Sequence, residues 1–233
     1  MEAYLKSALV DTKSRLYYIV SDFLAALTVV SIAAIVLETV PSLSKYSSLF
    51  WVVEWAAVVF FTMEYVARLY IIKPSRSYIF SFLGLIDLVS ILPTFLGLGN
   101  FTFLKSARAI RLIRLLRMVR MAKIKHLNVR DVEEKMSFFA VNILLFLVVV
   151  LGSTLVVGTL MYLVEGTNEA FSTIPLAMFW SFKVFLIGIP IAYPETLGGE
   201  LGHIFARLVG LTVFGVLVGL IGNVIKDWLF VGK

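Results

Sequence analysis

The chain has 233 residues, of which 60% are hydrophobic and only 15% charged, and its net charge is +6. A soluble domain would be roughly a quarter charged, so this composition, with a mean hydropathy of +0.96, excludes an ordinary water-soluble fold and implies a bilayer. With no cysteine, disulfides and thiolate metal sites are excluded too, and the basic excess is explained by cytoplasmic loops, not by nucleic acid.

No cleavable leader is evident, since Met1 to Asp22 mixes Glu2, Lys6, Asp11, Lys13 and Arg15 with short apolar pieces. A first apolar segment runs from about residue 17 to 40 and stops at Pro41. A polar loop at 42–48 leads to a second, about 49 to 72, which Lys73-Pro74-Ser75-Arg76 ends because proline lacks the N–H that a helix needs. A third, about 78 to 96, contains Asp87 and ends near Pro93, Gly97 and Gly99. The fourth, starting near Phe101, is the arginine-bearing helix, and an amphipathic stretch from Lys123 to Lys135 follows. A fifth segment runs from about 136 to 164 and a sixth from about 201 to 230. Between them, 171–185 is apolar but shorter than the roughly 20 residues that cross a membrane, so it reads as a re-entrant helix. Neither an internal repeat nor a low-complexity tract is present.

Lysines and arginines cluster on one side of this layout: Lys6, Lys13 and Arg15, then Lys73 and Arg76, then Lys125, Arg130 and Lys135. Lys45, Glu165, Glu169, Glu195 and Glu200 fall on the other. Six spans with both termini cytoplasmic satisfy that bias.

The arginine helix carries the strongest pattern. Lys105, Arg108, Arg111, Arg114, Arg117, Arg120 and Lys123 recur at every third position, the residues between are almost all apolar, and no acid interrupts 104–129. Each arginine at the bilayer centre costs about 2.5–3.5 kcal/mol on insertion scales, so carboxylates or water must meet them. The neighbouring segments supply Glu38, Glu54, Glu64 and Asp87. Glu54 and Glu64 are separated by about 15 Å of helix, enough for two stations. Cations three residues apart spiral around an α-helix and align on a 3₁₀ helix. A transmembrane field can move such a string, at about 2.3 kcal/mol per charge per 100 mV. The sensing charge is assigned to Arg108, Arg111, Arg114, Arg117 and Arg120. The blander readings are a nucleic-acid-binding helix and static helix packing through fixed ion pairs.

Phe61, Glu64 and Arg68 stand in the order aromatic, acid, arginine, and Asp87 precedes Pro93 by six residues. With the arginine repeat, these motifs resemble those of the voltage-gated potassium-channel family over nearly the whole chain. The resemblance implies an all-α membrane protein: six transmembrane helices plus a re-entrant pore helix, arranged as a voltage-sensor four-helix bundle (1–123), an amphipathic linker (124–135) and a tetrameric pore domain (136–233). It implies that Phe61, Glu64 and Asp87 form the charge-transfer site and that Glu54 is the outer acidic station, whereas the alternative for Phe61 is plain packing. Ile174-Pro175, Phe179-Trp180 and Thr196-Leu197-Gly198-Gly199 also resemble that family. The implied partners are the lipid bilayer, permeant monovalent ions and three further copies of the chain, in the plasma membrane. Neither a cofactor, a metal nor nucleic acid is implied, no enzyme constellation is visible, and the few residues after Lys226 leave voltage as the stimulus.

The filter departs from the family. Where Thr-Val-Gly-Tyr-Gly is expected, the chain has Leu186, Ile187, Gly188, Ile189, Pro190, Ile191, Ala192, Tyr193, Pro194 and Glu195. Proline fixes φ, and branched isoleucines resist φ > 0, so the usual ladder of carbonyls around potassium is not expected. Glu195 forms either a cation-attracting ring or an ordinary loop carboxylate. Lys183 either faces the axis, where it repels cations, or pairs with an acid such as Glu195. Ile187, Ile189 and Ile191 are placed to make a hydrophobic constriction. Gly215 and Gly219 serve either close helix packing or a gating bend. The expected function is a voltage-gated channel passing cations, with an anion-permeable channel or a non-conducting voltage-sensing protein as alternatives.

Overall fold

A computed structural model describes residues 2–97, 114–123 and 138–230. The described residues are mainly helical and fall into two compact units, Met1–Leu127 and Asn128–Lys233.

The first unit begins with α1 (Glu2–Leu9), a short helix that the sequence reading did not anticipate, followed by α2 (Arg15–Glu38). The Ser14 hydroxyl caps α2 by accepting from the Leu16 N–H at 3.2 Å, which satisfies one of the donors a helix start leaves open. A 3₁₀ turn over Pro41–Tyr46 leads into α3 (Ser47–Ile71). The expected third segment is divided instead into α4 (Ser75–Ile79) and α5 (Phe82–Gly97), with Phe80 and Ser81 between them. Gly84 sits so close to the Tyr78 carbonyl that a Cβ there would overlap it. Helix α5 also continues through Pro93 to Gly97, so the proline does not end it. Helices α2, α3, α5 and a 3₁₀ helix at Leu116–Lys123 pack together around Ala57, Val58, Phe61 and Ile91, with Leu24, Leu27 and Tyr65 against them.

The second unit contains α6 (Phe138–Glu165), α7 (Ile174–Ile187) and α8 (Leu197–Phe230), all in mutual contact. Thr173 caps α7 and Pro175 occupies its first turn, where no N–H is needed. Gly188, at φ 73°, closes its C-terminus, a left-handed conformation open to glycine. Among the described residues, four stretches are long and apolar enough to cross a membrane: Arg15–Glu38, Pro41–Ile71, Val141–Glu165 and Leu197–Gly222. Helix α7, with 14 residues, is apolar but shorter.

Candidate functional site

Of the arginines assigned to sensing from the sequence, Arg114, Arg117 and Arg120 lie within the described residues and Arg108 and Arg111 outside them. From Leu116 to Lys123 the backbone is 3₁₀, so a three-residue spacing returns to the same face. The cations at Arg117 and Arg120 therefore form a row and not the spiral an α-helix would give.

Arg117 is fully buried. Its two terminal nitrogens donate to the Glu54 carboxylate at 2.7 and 2.6 Å, a paired geometry suited to the planar guanidinium. Its Nε donates to the Ser90 carbonyl at 2.9 Å, and Nη2 also reaches the Thr94 hydroxyl at 3.0 Å. Thr94 in turn donates to Glu54. The charge is thus removed from solvent with nearly every polar atom occupied, the condition under which a buried ion pair is tolerated. Arg114 lies between two acids, 3.8 Å from Glu54 and 3.7 Å from Glu38.

One turn along, Arg120 is 5% exposed and paired with Glu64, with Asp87 3.6 Å from its other nitrogen. Glu64 also accepts from Arg68 at 2.9 Å, and Asp87 accepts from the Tyr78 hydroxyl at 2.5 Å. Phe61 has no exposed surface, and its ring lies 3.8 Å from the Arg120 guanidinium and 6.0 Å from that of Arg117. The ring therefore stands between two carboxylate stations, and each station holds an arginine. The structure brings Glu54, Phe61, Glu64 and Asp87 together with the arginine row. Ser90, Thr94 and Tyr78 belong to the same cluster, but the sequence reading did not select them. Neither a hydroxyl nor a backbone carbonyl on a helix carries a spacing signal until its neighbours are known.

In the second unit, Glu165 is not a solvated loop acid. It is fully buried at the end of α6 and accepts from the backbone N–H groups of Glu195 (3.1 Å) and Thr196 (2.7 Å) and from the Thr196 hydroxyl. It ties the filter-position stretch to the start of α8. Along that stretch exposure alternates. Ile187, Ile189, Ile191 and Tyr193 point outward at 54–70% exposure, while Pro190 is buried. The Ala192 carbonyl accepts from the Trp180 indole at 2.8 Å, so that oxygen faces its own helix α7.

Lys183 is not paired with Glu195. Its ammonium lies 5.0 Å from the centre of the Phe179 ring, whereas Glu195 accepts from the Asn168 amide at 3.1 Å. The reason is geometric: Glu195 stays on the loop side with Asn168, and Lys183 finds the aromatic face one turn back on its own helix. Helix α8 runs unbroken through Gly215 and Gly219, and a Cβ at either would meet nothing within 4 Å, so neither glycine serves packing within the chain.

Compared with known proteins, residues 17–228 match the family model described as ion transport protein. The chain is similar to a Rhodopseudomonas palustris protein whose name assigns it provisionally to potassium channels, at 27% identity over 92% of this chain and 55% of that protein. It is also similar to the potassium voltage-gated channel protein Shal of Drosophila melanogaster (26%, over 91% of this chain and 39% of that one). For the A-type voltage-gated potassium channel KCND3 of Homo sapiens the figures are 26%, 91% and 34%. The chain spans about half or less of the length of these curated relatives. With four stretches among the described residues apolar enough to cross a bilayer, the chain is an integral membrane protein and belongs to the ion transport protein family.

Proposed function

We propose that this chain is the subunit of a voltage-gated ion channel for monovalent ions, of potassium-channel descent but without the usual potassium filter. The reading is carried by one observation: successive arginines of a 3₁₀ row occupy successive buried carboxylate stations on either side of Phe61. Static ion pairs would hold the helix, but an in-register row also lets each arginine take the place of the next. In a shift by one step, Arg117 would reach the Glu64 and Asp87 station and Arg114 would take Glu54. Each charge moved through the field contributes about 2.3 kcal/mol per 100 mV, and four subunits would supply tens of kcal/mol.

The remaining architecture in this proposal is six spans with both termini cytoplasmic, a voltage sensor at 1–123, a linker at 124–135 that transmits its movement, and a pore at 136–233. Helix α7 is the re-entrant pore helix. One copy of α6 to α8 cannot enclose a path, so a homotetramer in the plasma membrane is implied. Outward apolar residues such as Leu208, Leu211 and Phe214 on α8 give other copies and lipid a surface to meet. The names of the relatives support voltage gating and descent from potassium channels.

The test is current recording in planar bilayers under asymmetric salt, with gating currents measured in parallel. Neutralising Arg114 and Arg117 together is expected to flatten the voltage dependence; an unchanged slope would remove the sensor from the proposal.

A further inference from the structure

The second unit holds two cations whose surroundings differ from those of the arginine row. Arg207 is the eleventh residue of α8, within the stretch Leu197–Gly222 that is apolar enough to cross a membrane. Lys183 lies within α7. Neither is in a salt bridge with a carboxylate among the described residues. Arg207 instead donates through Nε to His203 Nε2 at 3.3 Å, and Lys183 rests over Phe179. Among the described residues of this unit, the acids nearest in sequence are engaged or exposed. Glu165 is committed to the N–H groups of Glu195 and Thr196, Glu195 takes the Asn168 amide, and Glu169 and Glu200 are exposed.

The location of Arg207 is what gives this charge its meaning. Gly210, one turn further along α8, lies against the backbone of Phe185, and a Cβ there would press on the last turn of α7. That close approach places Arg207 at the C-terminal end of α7. There an open cavity of about 290 Å³ is lined by Ile187, Gly188, Arg207 and Leu211 among others. A helix C-terminus presents unpaired carbonyls and a partial negative charge, an environment that holds a guanidinium without a carboxylate. An ionisable residue in a span that lacks a counter-ion commonly faces a water-filled cavity and marks an ion pathway. Fixed arginines at such a place exclude cations in other pores.

We propose that Arg207, with Lys183 as a weaker second charge, makes this pore discriminate against cations, so that small monovalent anions are favoured over potassium. The inference rests on the channel reading above, in which the end of α7 and the stretch Gly188–Glu195 surround the conduction path. Four copies then place four Arg207 side chains around it. Arg207 then shares a cavity with the C-terminal turn of α7, where the helix's partial negative charge would otherwise attract a mobile cation.

The experiment is the reversal potential of the full chain in planar bilayers with asymmetric KCl, for the native protein, Arg207→Gln, Arg207→Lys and Lys183→Gln. The native reversal is expected on the chloride side of zero. Arg207→Gln is expected to raise the potassium-to-chloride permeability ratio by at least about tenfold, the scale of one charge acting at short range near a protein surface. Lys183→Gln should move it less, with the same sign. Arg207→Lys keeps the charge and should keep the native reversal, which separates charge from fold if the glutamine variant assembles poorly. A native reversal at the potassium potential overturns the proposal. So does a lysine variant that shifts as far as the glutamine one, or a glutamine variant that matches the native protein, including the case in which both are silent. Gating currents need no permeation, so they report on the voltage-sensor reading whichever way the reversal falls.

Discussion

The two units treat cations in opposite ways: Arg117 and Arg120 of the first are buried, whereas Arg207 of the second is exposed and Lys183 half-buried. In the first, Arg117 and Arg120 are nearly or fully buried and each is met by a carboxylate, with hydroxyl and carbonyl oxygens completing the shell around Arg117. In the second, Arg207 and Lys183 have a neutral imidazole and an aromatic face for company. The difference teaches what each set is built for. Cations with matched stations can exchange partners as they move, because every position offers a similar well. Cations without counter-ions leave their field uncancelled, and a mobile ion nearby responds to it.

The sharpest way to break this comparison is to remove a station. Glu54→Gln leaves Arg117 buried with a neutral partner, and breaking one side of a buried pair typically costs about 3–5 kcal/mol. The loss should appear in denaturant titration in bicelles. Glu54→Gln combined with Arg117→Gln is expected to recover most of it, because no orphaned charge remains. Arg207→Gln, by contrast, removes a cation that has no carboxylate partner and should change stability by less than about 0.5 kcal/mol. Equal losses from Glu54→Gln and Arg207→Gln would abolish the distinction between the units.

A medium effect is expected at Glu165, among the described residues of the second unit the one buried carboxylate. It accepts from two backbone N–H groups and a hydroxyl. Glu165→Gln weakens three contacts that the carboxylate strengthens by its charge, for about 1–3 kcal/mol. Gly199→Ala attacks the same place differently, since a Cβ there would overlap the Glu165 carboxylate. Both should lower stability and accelerate hydrogen exchange at the Glu195 and Thr196 amides. Normal protection at those amides in both variants would show that Glu165 does not hold the loop.

How much of this could be read from the sequence follows from the physics of each feature. Glu54, Glu64 and Asp87 were legible because an acid at membrane depth is too costly to be incidental, and Phe61 because its spacing to Glu64 fits a known motif. Which arginine meets which acid was not legible: α-helical arithmetic scatters residues three apart, and only the 3₁₀ backbone aligns them. Ser90 contributes through its carbonyl, an atom every residue has. Glu165 was legible as an acid at the end of the fifth segment but not as a buried one, because its partners, the Glu195 and Thr196 N–H groups, lie 30 and 31 residues further on. Arg207 was not singled out from the sequence, because its neighbourhood depends on Gly210 letting α8 close onto α7, a long-range contact that no local pattern encodes.

The finest test concerns Phe61, where packing and electrostatics overlap. The ring lies 3.8 Å from the Arg120 guanidinium and 6.0 Å from that of Arg117, so it favours the state in which Arg120 occupies the Glu64 station. Phe61→Leu keeps an apolar side chain of similar size but removes the ring's negative face, worth about 0.5–2 kcal/mol to a cation. Where about three charges move, 1 kcal/mol corresponds to a displacement of roughly 15 mV in the midpoint of the charge–voltage curve. The expected direction is that which disfavours the conformation seen here, while Phe61→Tyr, which retains a ring face, should stay near the native midpoint. If leucine and tyrosine leave the midpoint equally unmoved, Phe61 only fills space between the stations. The preference for Arg120 would then lie in Glu64 and Asp87 alone.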